Sequence, residues 1–233
     1  MPEQVHVDAD GQVVYRQRYW ALFSERMDFQ RFPFDRQTLG IRVIAAGYTP
    51  EEVRLAESDP ALRIRSAIAA DALPPEWRLR GFEVEAGPVV LVPGGLGTPA
   101  VEVRIEAVRR WEHFVLKLIL PLCLIVVMSW VVFWIDPMEL ETNSAVAVTS
   151  VLTIIAYRFS VSESLSRVPY ATRLDAFVGV ATIMVFLTVI QVVYATALAK
   201  ASSKAAALRV DRLCRVAFPV AFVLLAFWAL TLA

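Results

Sequence analysis

The chain has 233 residues, 57% of them hydrophobic, and its formal net charge is zero. So apolar a composition excludes an ordinary soluble domain, and the charge balance gives no reason to expect a nucleic-acid partner. Cys123 and Cys214 both fall in apolar segments, and His6 and His113 stand alone, which excludes a disulfide framework and a metal-ligand cluster.

The N-terminus, MPEQVHVDADG, lacks the charged start, apolar stretch and cleavage site of a secretory signal. Residues 5–44 alternate in strand fashion. Val13, Val14, Tyr15, Tyr19, Trp20 and Phe23 favour strands, and Asp10-Gly11 marks a hairpin. In Phe32-Pro33-Phe34-Asp35 a proline between two phenylalanines makes a rigid, aromatic loop tip: a packed turn, or a pre-formed contact knob. Further strands are expected at Thr38–Ile44, Val53–Ala56, Trp77–Glu85 and Val101–Val108. The glycine- and proline-rich run from Gly87 to Pro99 reads as a long hairpin loop of the kind that carries binding function. Residues 1–110 therefore form an all-strand domain and residues 111–233 a membrane domain.

Phe114–Trp134 is long enough to span a bilayer, with a kink expected at Pro121 and interfacial tryptophans at Trp130 and Trp134. The acidic turn Asp136–Glu139 leads into Glu139–Arg158, the most polar of four apolar runs. Arg158 would cost about 2.5–3.5 kcal/mol at mid-bilayer, so it is expected at the helix end. Ser162–Arg173 is an exposed connection and Phe177–Ala199 a third span. Lys200–Arg212 reads as a basic linker, and Leu213–Ala233 as a fourth span broken by Pro219. The positive-inside rule places the basic linker in the cytoplasm, and with it the Asp136–Glu141 turn. The strand domain and the C-terminus then face outward from the cell (inner) membrane.

On a helix, Glu141, Ala145, Thr149, Leu152, Ala156 and Phe159 share one face, because steps of three and four residues return to one side. Val146, Val148, Val151, Ile154 and Ile155 are left to pack against helices or lipid. A membrane helix needs such a polar stripe only where it borders water, and several copies around an axis would enclose a pore. Thr149, Ser150 and Thr153 are equally compatible with hydroxyls that bond back to the helix or join helices.

These pieces together resemble the pentameric ligand-gated ion channels, or Cys-loop receptors, in their bacterial branch. The resemblance runs from about Asp8 to the C-terminus. It rests on Phe32-Pro33-Phe34-Asp35 with Gln37, Arg109, Ser129-Trp130 with Phe133-Trp134, the polar second helix, Pro169-Tyr170, and Arg215-Val216-Ala217-Phe218-Pro219. It implies a partial extracellular β-sandwich on an all-α four-helix transmembrane domain, assembled as a homopentamer of identical subunits in the lipid bilayer. The second helix would line the pore. Leu152 and Phe159 would gate it by dewetting, and Glu141 would select permeant inorganic cations at the cytoplasmic mouth. A register shift of two would give that role to Glu139. The tip Phe32, Pro33, Phe34 and Asp35 would press on the loop around Pro169, with Arg109 paired to an acid such as Asp35, carrying agonist binding to the pore.

Several departures accompany the resemblance. The signature-loop cysteines fall on Glu25 and Leu39, which removes that disulfide. The spacing from Trp134 to Leu152 resembles the anion-selective branch, whereas Glu141, Thr142 and Asn143 at the pore mouth favour cations. Ala45-Ala46 and the Gly87–Pro99 loop lack the aromatics of an amine cage. The small-molecule agonist is thus unknown, with that loop as the candidate ligand site. The strands that precede Asp8 in the family are absent, so a truncated domain is expected. The alternatives are a non-conducting four-helix sensing or interaction protein, or a fragment of a channel. No nucleophile–base pair, ligand cluster or phosphate loop supports an enzyme, and no cofactor is expected.

Overall fold

The computed structural model describes residues 4–16, 24–56, 73–90, 97–164, 168–201 and 203–231. The first alternating stretch folds into a hairpin of β1 (Gln4–Val7) and β2 (Val13–Arg16). Asp10-Gly11 sits in its turn, where Gly11 takes φ +80°, a conformation that strains any residue with a Cβ. Its N–H donates to the Asp8 carbonyl at 3.0 Å. Tyr19, Trp20 and Phe23 lie outside the described residues.

A three-stranded antiparallel sheet follows, in the order β3 (Arg36–Ile44), β5 (Thr98–Arg109), β4 (Trp77–Val89). Each strand is longer than its sequence pattern indicates. The β4–β5 ladder continues to Val89↔Thr98, so the expected thirteen-residue loop is cut back to residues 90–97, of which 91–96 lie outside the described residues. Pro88 and Pro99 face each other across this ladder. Neither has an N–H to give, so their rung must be one that exchanges no hydrogen bonds. Val53–Ala56 is not a strand. The chain turns just before it, with Glu52 Oε2 accepting the Thr49 N–H and hydroxyl, each at 2.9 Å, and no partner strand lies alongside among the described residues.

Among the described residues, four helical segments are long and apolar enough to cross a membrane. The first combines α1 (Glu112–Phe114), a π-helical turn (Val115–Ile119), α2 (Leu120–Ser129) and a 3-10 stretch (Trp130–Trp134). The others are α3 (Leu140–Ser164), α4 (Arg173–Ala201) and α5 (Lys204–Thr231). Pro121 widens the first helix to a π turn just before it, because the missing N–H leaves one carbonyl of an α pattern unpaired.

Three sequence readings are corrected here. Helix α3 runs past Arg158 to Ser164, so Arg158 lies inside the helix and not at its end. The basic stretch is not a linker, since α4 and α5 are separated only by residues 202–203 and the basic residues ride on the helices. Helix α5 passes through Pro219 unbroken, as membrane helices tolerate.

The buried core is continuous through the helices, with Leu122, Val126, Phe133, Ile154, Phe177, Ala181 and Val185 at its centre. Helix α5 docks by Phe222 on Trp130 and by Phe218 on Phe133, edge to face at 5.9 and 4.9 Å. Arg215 Nε donates to the Phe133 carbonyl at 2.9 Å, and its guanidinium lies 5.4 Å from the Trp134 ring centre. The arginine thus satisfies the orphaned end of the first span.

Candidate functional site

Two groups of residues singled out in the sequence come together as distinct sites. One lies at the junction of the strand domain with the helices, and the other is a face of α3.

At the junction, residues 28–37 form a closed loop. The Gln37 side chain accepts the Asp28 N–H at 3.2 Å, donates to the Asp28 carbonyl at 2.6 Å, and donates to Asp35 Oδ2 at 2.9 Å. Phe32, Pro33 and Asp35 are buried, whereas Phe34 is exposed. Asp35 meets Arg109, the last residue of β5, through Nε–Oδ1 at 2.7 Å and an Nη2–Oδ2 contact at 3.2 Å. Both side chains are almost fully buried, at 2% and 5% exposure. A buried ion pair must offset the loss of hydration, and here the bidentate geometry does so with help from rings. Trp77, Phe32, Phe114 and Phe29 have their centres 4.2, 5.0, 5.6 and 5.7 Å from the guanidinium carbon. Glu76 reaches the outer nitrogen at 3.4 Å.

The tip rests on the membrane domain. Phe32 stacks edge-on against Phe114 at 4.9 Å, and Phe34 lies 5.9 Å from Trp111. The Tyr170 hydroxyl accepts the Phe29 N–H at 2.9 Å, and the Arg173 N–H donates to the Gln30 carbonyl at 3.0 Å. Pro169 is exposed beside these residues, and the hydrogen bonds come from its neighbours. The acid pairing and the tip are legible in the sequence. The Gln37 clamp, the aromatic cage and Tyr170 as the contact are not, because each joins residues whose meeting only the fold determines.

In α3, Asn143, Ala147, Ser150, Ile154 and Val161 are buried, whereas Glu141, Ala145, Thr149, Leu152, Ala156 and Phe159 are all exposed in the single subunit. The six predicted stripe residues thus lie together on the open side. Of the five branched residues assigned to packing, Ile154 is buried and Val146 and Val151 are partly so. Val148 and Ile155 are exposed, because they border the stripe. Ser150 and Thr153 do bond back, to the Val146 carbonyl at 2.8 Å and the Thr149 carbonyl at 2.7 Å.

At the start of α3, Glu139 and Glu141 are exposed. Asn143 turns inward, its Nδ2 donating to the Asp136 carbonyl at 2.9 Å, so it is withdrawn from this mouth. Asp136 is held by Lys204 of α5. That hydrogen bond, with one from the Met138 N–H, lowers the Asp136 pKa below its ordinary value. Asp136 therefore has a partner cation that the sequence pattern does not reveal.

The candidate ligand loop begins beside a cleft of about 420 Å³ lined by residues that include Glu85, Pro88 and Glu102. The Glu102 carboxyl is lowered by a hydrogen bond from Arg42 and another from Arg104, which leaves two cations already engaged at its rim.

Residues 118–207 match the family of neurotransmitter-gated ion-channel transmembrane regions. The chain is 28% identical over 228 residues to a proton-gated ion channel of Gloeobacter violaceus, covering 94% of this chain and 60% of that protein. It is 28% identical over 189 residues to a gamma-aminobutyric acid receptor subunit beta of Caenorhabditis elegans, with coverage of 81% and 34%. Similarity to a gamma-aminobutyric acid receptor subunit rho-2 of Bos taurus is also 28% over 189 residues, with coverage of 80% and 40%. The chain thus spans 60% or less of the length of these relatives.

Proposed function

Starting from a chain related to the pentameric ligand-gated ion channels, we propose that it is a subunit of such a channel, with α3 lining a cation-selective pore. One observation carries this reading. A single face of α3 leaves Glu141, Ala145, Thr149, Leu152, Ala156 and Phe159 open along the whole membrane depth, while the opposite face is packed into the subunit. An acidic group on a membrane helix is costly unless it meets water or a partner. Five identical copies with these faces turned inward would enclose that water.

In this arrangement Leu152 and Phe159 form two apolar rings that close the pore by dewetting, and Glu141 forms an acidic ring at the inner mouth. Asp136 is neutralised by Lys204, which leaves Glu141 and Glu139 to set the charge there. The strand domain faces outward and receives a small-molecule agonist, for which the loop from Gly87 to Pro99 is the candidate. The signal passes through the Arg109–Asp35 junction, because the loop tip touches both the first span and the Tyr170 segment.

The test is the subunit count of the detergent-purified chain by light scattering, followed by recording in planar bilayers. Five copies and a cation current support the reading. A monomer, or five copies that never conduct, defeats it.

A further inference from the structure

Arg158 belongs to neither site above. It lies inside α3 and is exposed, and among the described residues its guanidinium meets no carboxylate and no hydrogen-bond acceptor. At about 1.5 Å per residue it stands about 6 Å short of Ser162, where the apolar span ends. An arginine at such a depth is costly unless it turns to water or to a partner inside an assembly.

Helix period fixes its direction. Successive residues are about 100° apart, so Arg158 points well away from Phe159 and the stripe. Ile154 and Val161 mark the packed face, and Tyr157 and Arg158 stand on either side of it. The Tyr157 flank carries the first span, because its hydroxyl donates to the Lys117 and Leu118 carbonyls. Below Arg158 the opposite flank is apolar and open, at Ile155 and Val148. In a ring of copies whose stripes face the axis, contacts run head to tail. The Arg158 flank of one copy then meets the first-span flank of the next.

Tyr157 and Arg158 are consecutive and so at one depth. The guanidinium therefore arrives at its neighbour's π turn, Val115–Ile119. In an α pattern the Lys117 carbonyl would accept the N–H of residue 121, and Pro121 has none. One tyrosine proton is shared between two carbonyls with two lone pairs each, so acceptor capacity remains there. The Lys117 side chain does not compete, since it lines a cleft with Arg110 and His113 on the strand-domain side.

Resting on the channel reading above, we propose that Arg158 is a subunit-interface residue. Its guanidinium donates to the Lys117 and Leu118 carbonyls of a second copy of this chain. The same placement keeps the cation off the axis, where it would oppose the acidic ring at Glu141.

The test is dissociation of the detergent-purified full chain on dilution, followed by light scattering. Arg158→Met should raise the concentration at which copies separate by about tenfold or more, the effect of losing one charge-assisted hydrogen bond. Arg158→Lys, with the charge but fewer donors, should fall between that variant and wild type. Helix content by circular dichroism should not change in either. In a second measurement the photo-crosslinker p-benzoylphenylalanine replaces Arg158. Irradiation should give linked dimers on a denaturing gel, mapped by mass spectrometry to residues 116–120 of the other copy. If Arg158→Met does not fold, the crosslink alone decides. A five-copy chain that dissociates like wild type after Arg158→Met, or that links only within one copy or to lipid, overturns the inference and leaves the channel reading standing. A wild-type chain that is monomeric at every concentration overturns both.

Discussion

The hydroxyl of Tyr157 lies 2.9 Å from the carbonyl of Leu118 and 3.1 Å from that of Lys117. Both carbonyls lie in the π turn that precedes Pro121 in the first span, where the missing proline N–H leaves one backbone acceptor without its usual partner. A side chain from the middle of α3 thus repairs the backbone of a different helix, and ties the candidate pore helix to the segment that continues from the Arg109 junction. Tyr157→Phe removes the donor and keeps the ring. It should lower thermal stability in detergent by about 1–2 kcal/mol, read as a fall in melting temperature. No shift would mean that water already serves these carbonyls.

The buried Arg109–Asp35 pair should resist separate removal of its members. Asp35→Asn or Arg109→Gln leaves a charge without its partner in a closed aromatic cage, at about 3–5 kcal/mol. Arg109→Lys should also be poorly tolerated, because a lysine makes neither the bidentate contact nor the flat stacking on Trp77. Circular dichroism melts of the single and double variants give the coupling energy directly, and additive losses would show that the two side chains do not act as a pair.

Leu152 has the larger part of its surface open, at 62%, on the face assigned to the pore axis. Leu152→Ser should therefore leave the subunit's stability nearly unchanged while lowering the apolar barrier, producing leak or easier activation in bilayer recordings. A large loss of stability with a closed state as tight as before would place Leu152 in packing.

If the proposed pentamer forms, Glu141→Ala should shift the reversal potential away from cation preference, because it removes one acidic group per subunit from the proposed inner mouth. Glu139→Ala, in the turn before α3, should shift it less. The opposite ranking would move the selectivity role to Glu139.

The Asp136–Lys204 bridge gives a pH dependence of definite sign. The carboxyl is held below its ordinary value by Lys204. Its stabilising effect is complete above the unfolded pKa of about 3.9 and disappears as pH falls through the lower folded value. Melts of wild type and Lys204→Gln should therefore differ at neutral pH and converge in acid. Curves that stay parallel would show that the bridge does not hold the turn.

The four spans are legible because a bilayer demands about twenty apolar residues at a time, and the stripe on α3 because period alone places its residues on one face. The loop tip and its acid are legible because proline and paired phenylalanines allow few conformations. What the chain order hides is where distant side chains meet. Gln37 stands in the sequence only as a motif residue beside the tip until the loop closes on it, and nothing local marks Tyr157 as a partner of the first span. Lys204 reads as a linker residue, since nothing local reveals that only residues 202–203 separate α4 from α5. Val53–Ala56 has the composition of a strand, but strand formation also requires a neighbour.

The clamp on the loop tip has a wider consequence. Gln37 fastens residues 28–37 through an amide, and the two cysteines, both free, sit in the membrane spans. Closure of the junction is thus indifferent to the redox poise of the compartment it faces. It needs no oxidase during biogenesis and is not opened by a reductant.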